Sequence, residues 1–188
     1  MSDGPHRCLN MRKAWKDAAQ AAASPAFSED EVRQRVARAV RDDWLKEVPT
    51  SFMTELRRVF GAEDQGSLMA PSVDAATALA GLVPGSAFVA VLSECAEDAA
   101  ARGLAGETAI ADITSAALED RAERSLRHIQ EIYQRESSTG HTRQVLDRLA
   151  VPLTKAVSDL AGELGNHGRP ARLAPIARAV GIEEGPRL

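Results

Sequence analysis

The chain has 188 residues, 44% hydrophobic, 4% aromatic and 27% charged, with a formal net charge of −4. A chain of this length buries roughly 70% of its unfolded surface in its own core, so neither a disulfide nor a metal is needed to hold it together. The two cysteines, Cys8 and Cys95, are far apart and outside any C-x-x-C spacing, which excludes a disulfide scaffold and makes a reducing cytoplasm the expected compartment.

Scarce aromatic and β-branched residues and abundant alanine point to helix. The N-terminal MSDGPHRCLNMRKAWKD has basic residues but no apolar run behind them, so no signal peptide is expected. A first helix is predicted over Leu9 to Ala23, with Met11, Trp15, Ala18 and Ala22 on one face and Ser24-Pro25 as its stop. Ser28 followed by Glu31 forms a capping box for the next helix, in which Val32, Val36, Ala39, Val40 and Leu45 recur at helical spacing. Pro49 breaks it, and Thr50 or Ser51 can cap a shorter helix carrying Phe52, Leu56, Val59 and Phe60 to Gly61.

Residues 61–72, GAEDQGSLMAPS, read as a loop of turn formers. The stretch AATALAGLVPGSAFVAVLS, from Ala75 to Ser93, then runs without a single charge. It is long enough for a membrane span, but Pro84-Gly85 interrupts it, alanine and glycine dominate it, and Asp74 and Glu94 flank it where anchoring cations belong. The expected structure is a central apolar helical hairpin: one arm from Ser72 to Val83, the other capped by Ser86, running to Arg102 and closed by Gly103 in a left-handed conformation. The run AFVAVL alone is also compatible with a buried strand.

From Glu107 to Glu136 the residues Ile110, Ile113, Ala117, Ala122, Leu126, Ile129 and Tyr133 define the longest apolar stripe. After the turn SSTGHT, a return helix from Thr142 places Val145, Leu149, Leu153, Val157, Leu160 and Leu164 inward, with Pro152 expected to kink or split it. The loop GNHGRP precedes a last short helix, Leu173 to Val180. The fold class predicted is all-α: a multi-helix bundle with a central apolar hairpin and a long antiparallel helix pair. Residues 1–164 would form the bundle, and 165–188 a loop and short helix packed on it. The long stripe resembles a heptad seam, so a homodimer is expected.

Few motifs carry chemistry. His6, His128, His141 and His167 are isolated from one another and from any metal-ligand spacing. Gly162, Gly165 and Gly168 lack the lysine and hydroxyl of a phosphate loop and read as a helix end and loop. No nucleophile elbow or partnered histidine is present, so no catalytic residue, cofactor or metal is assigned.

Charge is the more informative feature. Residues 61–120 contain ten acidic residues and one basic residue, Arg102, whereas the flanking thirds are slightly basic. Glu94, Glu97, Asp98 and Asp112 are therefore the candidate docking groups for a basic protein partner. The expected function is non-enzymatic protein–protein interaction, as regulator, adaptor or neutralising partner of a basic effector. A second reading is a DNA-binding regulator: the C-terminal IARAVGI resembles the first helix and turn of a helix-turn-helix, and Arg35, Arg38, Arg172 and Arg178 would contact the phosphates. That resemblance covers about 16 residues and fails where a recognition helix should follow, in EEGPRL. A third reading is a small-ligand binder or enzyme with a pocket beside the central hairpin.

Overall fold

The computed structural model describes residues 11–64, 69–165 and 179. The chain is all-α. Its described residues form seven α-helices and no strand: α1 (Lys13–Ala23), α2 (Glu29–Glu47), α3 (Thr50–Val59), α4 (Val73–Thr77), α5 (Ala87–Ala101), α6 (Gly106–Glu136) and α7 (Thr139–Gly165). They build two compact units. The described part of the first is 11–42 with 122–156 and Ala179; that of the second is 43–121, without 65–68, with 157–165. The expected C-terminal segment 165–188 lies, apart from Gly165 and Ala179, outside the described residues.

In the first unit, α1 is an alanine-rich helix whose small residues permit close packing. Ala14, Trp15, Ala18, Ala19, Ala21 and Ala22 are all buried, a wider face than four positions would give. The capping box forms as the sequence indicates: Ser28 N–H donates to Glu31 Oε2 at 2.8 Å and Glu31 N–H to Ser28 Oγ at 3.3 Å. The Ser28 backbone N–H, with the Ser28 hydroxyl, holds the Glu31 carboxyl below its ordinary range. From this cap, α2 buries Val32, Val36, Ala39 and Val40, while α6 contributes Leu126 and Ile129, and α7 Val145, Leu146, Leu149 and Leu153. Each such valine, leucine or isoleucine contributes about 1.5–3 kcal/mol on leaving water. The turn between α6 and α7 is only Ser137-Ser138, shorter than SSTGHT, because Ser138 opens α7 and its Oγ accepts from His141 N–H.

One arginine organises this unit. Arg148 on α7 donates to the carbonyls of Ala22 at 2.8 Å, Ser24 at 2.9 Å and Phe27 at 2.8 Å. Carbonyls at the end of α1 and in the turn after it have no helical donor, and a guanidinium offers five N–H groups in a fixed fork. The Tyr133 hydroxyl adds a bond to the Ala19 carbonyl at 3.3 Å.

In the second unit, α3 buries Phe52, Leu56 and Phe60 completely, and Gly61 ends it at φ 67°. Pro49, not Thr50 or Ser51, occupies the N-cap position, without a side-chain bond; Thr50 is the first helical residue. The uncharged stretch is a hairpin of unequal arms. Ser72 caps the first arm through Ala75 N–H, but the α-helix stops at Thr77 and continues as a 3-10 turn, Ala78–Leu82, which buries only Leu79. Alanine and glycine at 78, 80 and 81 lie exposed, because residues this small gain little from burial, and Leu82 beside them is exposed as well. The second arm, α5, is a full helix and not a strand. Ser86 caps it through Val89 N–H, and Phe88, Val89, Leu92, Ala96 and Ala99 face the core.

Gly103 closes α5 at φ 75°. Its N–H bonds to the Ala100 carbonyl and that of Leu104 to the Ala99 carbonyl, the paired bonds of a left-handed helix stop. Trp44, Phe88 and Arg121 form the second unit's aromatic corner, with Trp44 edge-on to Phe88 at 5.5 Å and Arg121 over the Phe88 ring at 5.5 Å. Arg121 also reaches Asp43 at 3.2 Å and Glu47 at 2.9 Å.

Two expectations change. Leu45 is 68% exposed and Trp44 is buried, because the i, i+4 row Val36-Val40-Trp44-Val48 stays on the core side while Leu45 rotates about 100° past it. Pro152 lies inside one continuous α7 rather than splitting it. The stripe of α6 is covered by the chain itself: Ile110, Ile113, Ala117, Leu126 and Ile129 are fully buried.

Candidate functional site

The helical period of α5 sorts its residues cleanly. Ala87, Ala90, Glu94, Asp98 and Ala101 are exposed and Val91, Glu97 and Cys95 half-buried, so the outer surface is a low alanine bed carrying three carboxylates. Asp98 accepts from Arg102 Nε at 2.8 Å, and the same guanidinium bonds Asp112. Asp112 is 7% exposed. It is therefore not an outer docking group, as its sequence position implied, but the inner anchor of Arg102, because α6 turns that position toward the core. Glu119 is likewise buried.

The acidity of this surface registers on Cys95. Burial first, and then the charges of Asp120, Glu94, Asp98 and Asp112, together push its thiol up to about 12. Of these carboxylates Glu94 and Asp98 are exposed on the outer face of α5, whereas Asp112 lies buried beneath it. The thiol itself is a poor nucleophile.

Two cavities are formed by described residues of the first unit. One, of about 610 Å³, lies between the start of α2 and α7 and is lined by Val32, Val151 and Pro152 together with Glu29, Arg33, Arg143, Asp147, Arg148 and Lys155. The other, of about 670 Å³, lies between α1 and α2 and is lined largely by charged side chains, Lys13, Asp17, Glu31, Arg35 and Arg38 among them.

Three of the four arginines of α2 divide between these cavities. Arg33 faces the first and pairs with Asp30 at 3.4 Å; Arg35 and Arg38 face the second, with Arg35 stacked 4.6 Å from the Phe27 ring. Arg172 and Arg178, assigned with them to a nucleic-acid contact, lie outside the described residues, as do His6, Cys8, His167 and Gly168. His128 is half-buried, and His141 stands 5.9 Å from the Tyr133 ring. Among the described residues no three of His, Cys, Asp and Glu stand close enough to hold a metal ion, and no helix is long and apolar enough to cross a membrane.

Sequence reasoning missed two residues that shape these surfaces. Arg148 reads in sequence as one more charged position on α7, and its carbonyl partners lie more than 120 residues away. Gly165 reads as a helix end, yet its meaning is contact: a Cβ there would stand 2.9 Å from the Ala111 Cα. No family model matches the chain, and no curated protein or solved structure is significantly similar to it.

Proposed function

We propose that the chain acts by binding another protein, and that the outer face of α5 docks a basic surface of that partner. The observation that carries this reading is the composition of that face: Glu94, Glu97 and Asp98 on an alanine bed, with Arg102 the one basic residue between 61 and 120. Alanine loses no rotamer freedom on contact and lets a partner backbone approach closely, while the carboxylates steer encounter and set register. A regulator, adaptor or neutralising partner of a basic effector fits this surface.

Photo-crosslinking from position 90, exposed on the same face, tests the reading in the native cell. The expected product is one protein with a basic contact surface. Products that lack such a surface, or that form equally from exposed positions on other helices, contradict it.

A further inference from the structure

We propose that the groove between the start of α2 and α7 is a second docking site, for an acidic amphipathic helix of a partner protein. The groove belongs to the first unit and differs in charge from the α5 face, so it stands or falls independently of the reading above.

Its length follows from the helix that forms one wall. Lining residues run from Gly140 to Lys155 on α7, about 22 Å at the α-helical rise, and residues 29–33 of α2 form the opposite wall. A compact small molecule would leave much of this span uncovered, whereas a helix of about 15 residues matches it.

The apolar content calls for an amphipathic occupant. The other large aliphatic side chains of α7 in this unit, Val145, Leu146, Leu149 and Leu153, are buried; Val151 is 74% exposed and faces the groove beside Pro152. Val32, itself buried, backs the floor of the groove on the α2 side.

Charge decides which helix. Arg33, Arg143, Arg148 and Lys155 outnumber Glu29 and Asp147 among the lining residues; with Asp30, which pairs with Arg33, one positive charge remains in excess, in a chain that is negative overall. Arg148 is fixed in place by its bonds to the Ser24 and Phe27 carbonyls, so part of this charge is preorganised. A helix with glutamates flanking an apolar stripe satisfies both features; one with lysines meets like charge.

The test titrates the full chain against a fluorescent 15-residue synthetic helix with leucines at i, i+4, i+7 and i+11 flanked by glutamates. An otherwise identical lysine peptide and decanoate, a small anionic amphiphile, serve as comparisons. Saturable binding of the glutamate peptide, at least about tenfold tighter than the lysine peptide, is expected. Val151→Asp and Lys155→Glu, both at exposed positions, should each weaken it by about tenfold while the thermal melt is retained. The proposal is overturned by absence of saturable binding, by equal affinity for the two peptides, by indifference to both substitutions, or by saturation with decanoate but not with peptide.

Discussion

Gly165, the last residue of α7, closes against Ala111 of α6 so tightly that an added Cβ would stand 2.9 Å from the Ala111 Cα and 3.1 Å from its Cβ. The obstacle is backbone, which cannot rotate away. Gly165→Ala should therefore destabilise the protein by about 1–3 kcal/mol, the usual cost of overpacking. Gly162, one turn earlier in the same helix, has nothing within 4 Å of its added Cβ. Gly162→Ala should stabilise by about 0.5–1 kcal/mol, because alanine loses less backbone entropy in a helix. Urea unfolding of the two variants checks both signs; equal effects would contradict the close approach.

Arg148→Lys removes the fork that serves three carbonyls at once. A lysine ammonium reaches one or two of them from a flexible stem, so the end of α1 should loosen. The expected loss is about 1.5–3 kcal/mol, with faster amide exchange in residues 19–27. Unchanged exchange there would show that α1 is held by packing alone.

Leu126 is fully buried, and Leu126→Asp should cost several kcal/mol of a total of roughly 5–15, enough to populate the unfolded chain. Arg127, exposed on the same helix and paired with Glu123, should tolerate alanine with a change of at most about 0.5 kcal/mol. Circular dichroism melts of the two variants separate the buried row from the solvated one.

The Cys95 thiol, raised from 9.0 to about 12 by burial and then by the surrounding carboxylates, is protonated in the folded chain across the physiological range. The unfolded thiol ionises near its ordinary value, so between about pH 9 and 12 the unfolded state binds fewer protons and stability falls as pH rises. Cys95→Ala should remove this component of alkaline destabilisation. With Cys8 replaced by serine, native Cys95 at pH 8 should react with iodoacetamide about a thousandfold more slowly than in denaturant.

Much of the fold was legible because its signals are local. The Ser28–Glu31 box, the Ser72 and Ser86 caps and the Gly103 stop each depend on residues within a turn of one another, and the stripes of α6 and α7 repeat over enough turns to fix their faces. Leu45 shows where this ends: hydrophobicity alone selects it, while the phase of Val36 and Val40 selects Trp44. The first arm of the hairpin failed for a related reason, since alanine and glycine are content on either side of a surface. Arg148 and Gly165 lay beyond reach because their partners are remote in sequence. The acidic α5 face was legible from charge counting, with Asp112 misassigned because counting does not see which way a helix turns a side chain. The groove beside Val151 was not, since it needs the packing of α2 against α7.

The measurement that bears most directly on partner binding through α5 is the association rate of the chain with the protein captured from position 90, followed by stopped flow as salt is raised, for the wild type and for Glu94→Lys with Glu97→Lys. Both carboxylates lie on the outer face, so the fold should be unaffected. The account predicts a rate that falls as salt screens charges over about 8 Å, and a wild-type rate at low salt about tenfold or more above that of the charge-reversed chain. A rate indifferent to both salt and charge reversal would contradict it.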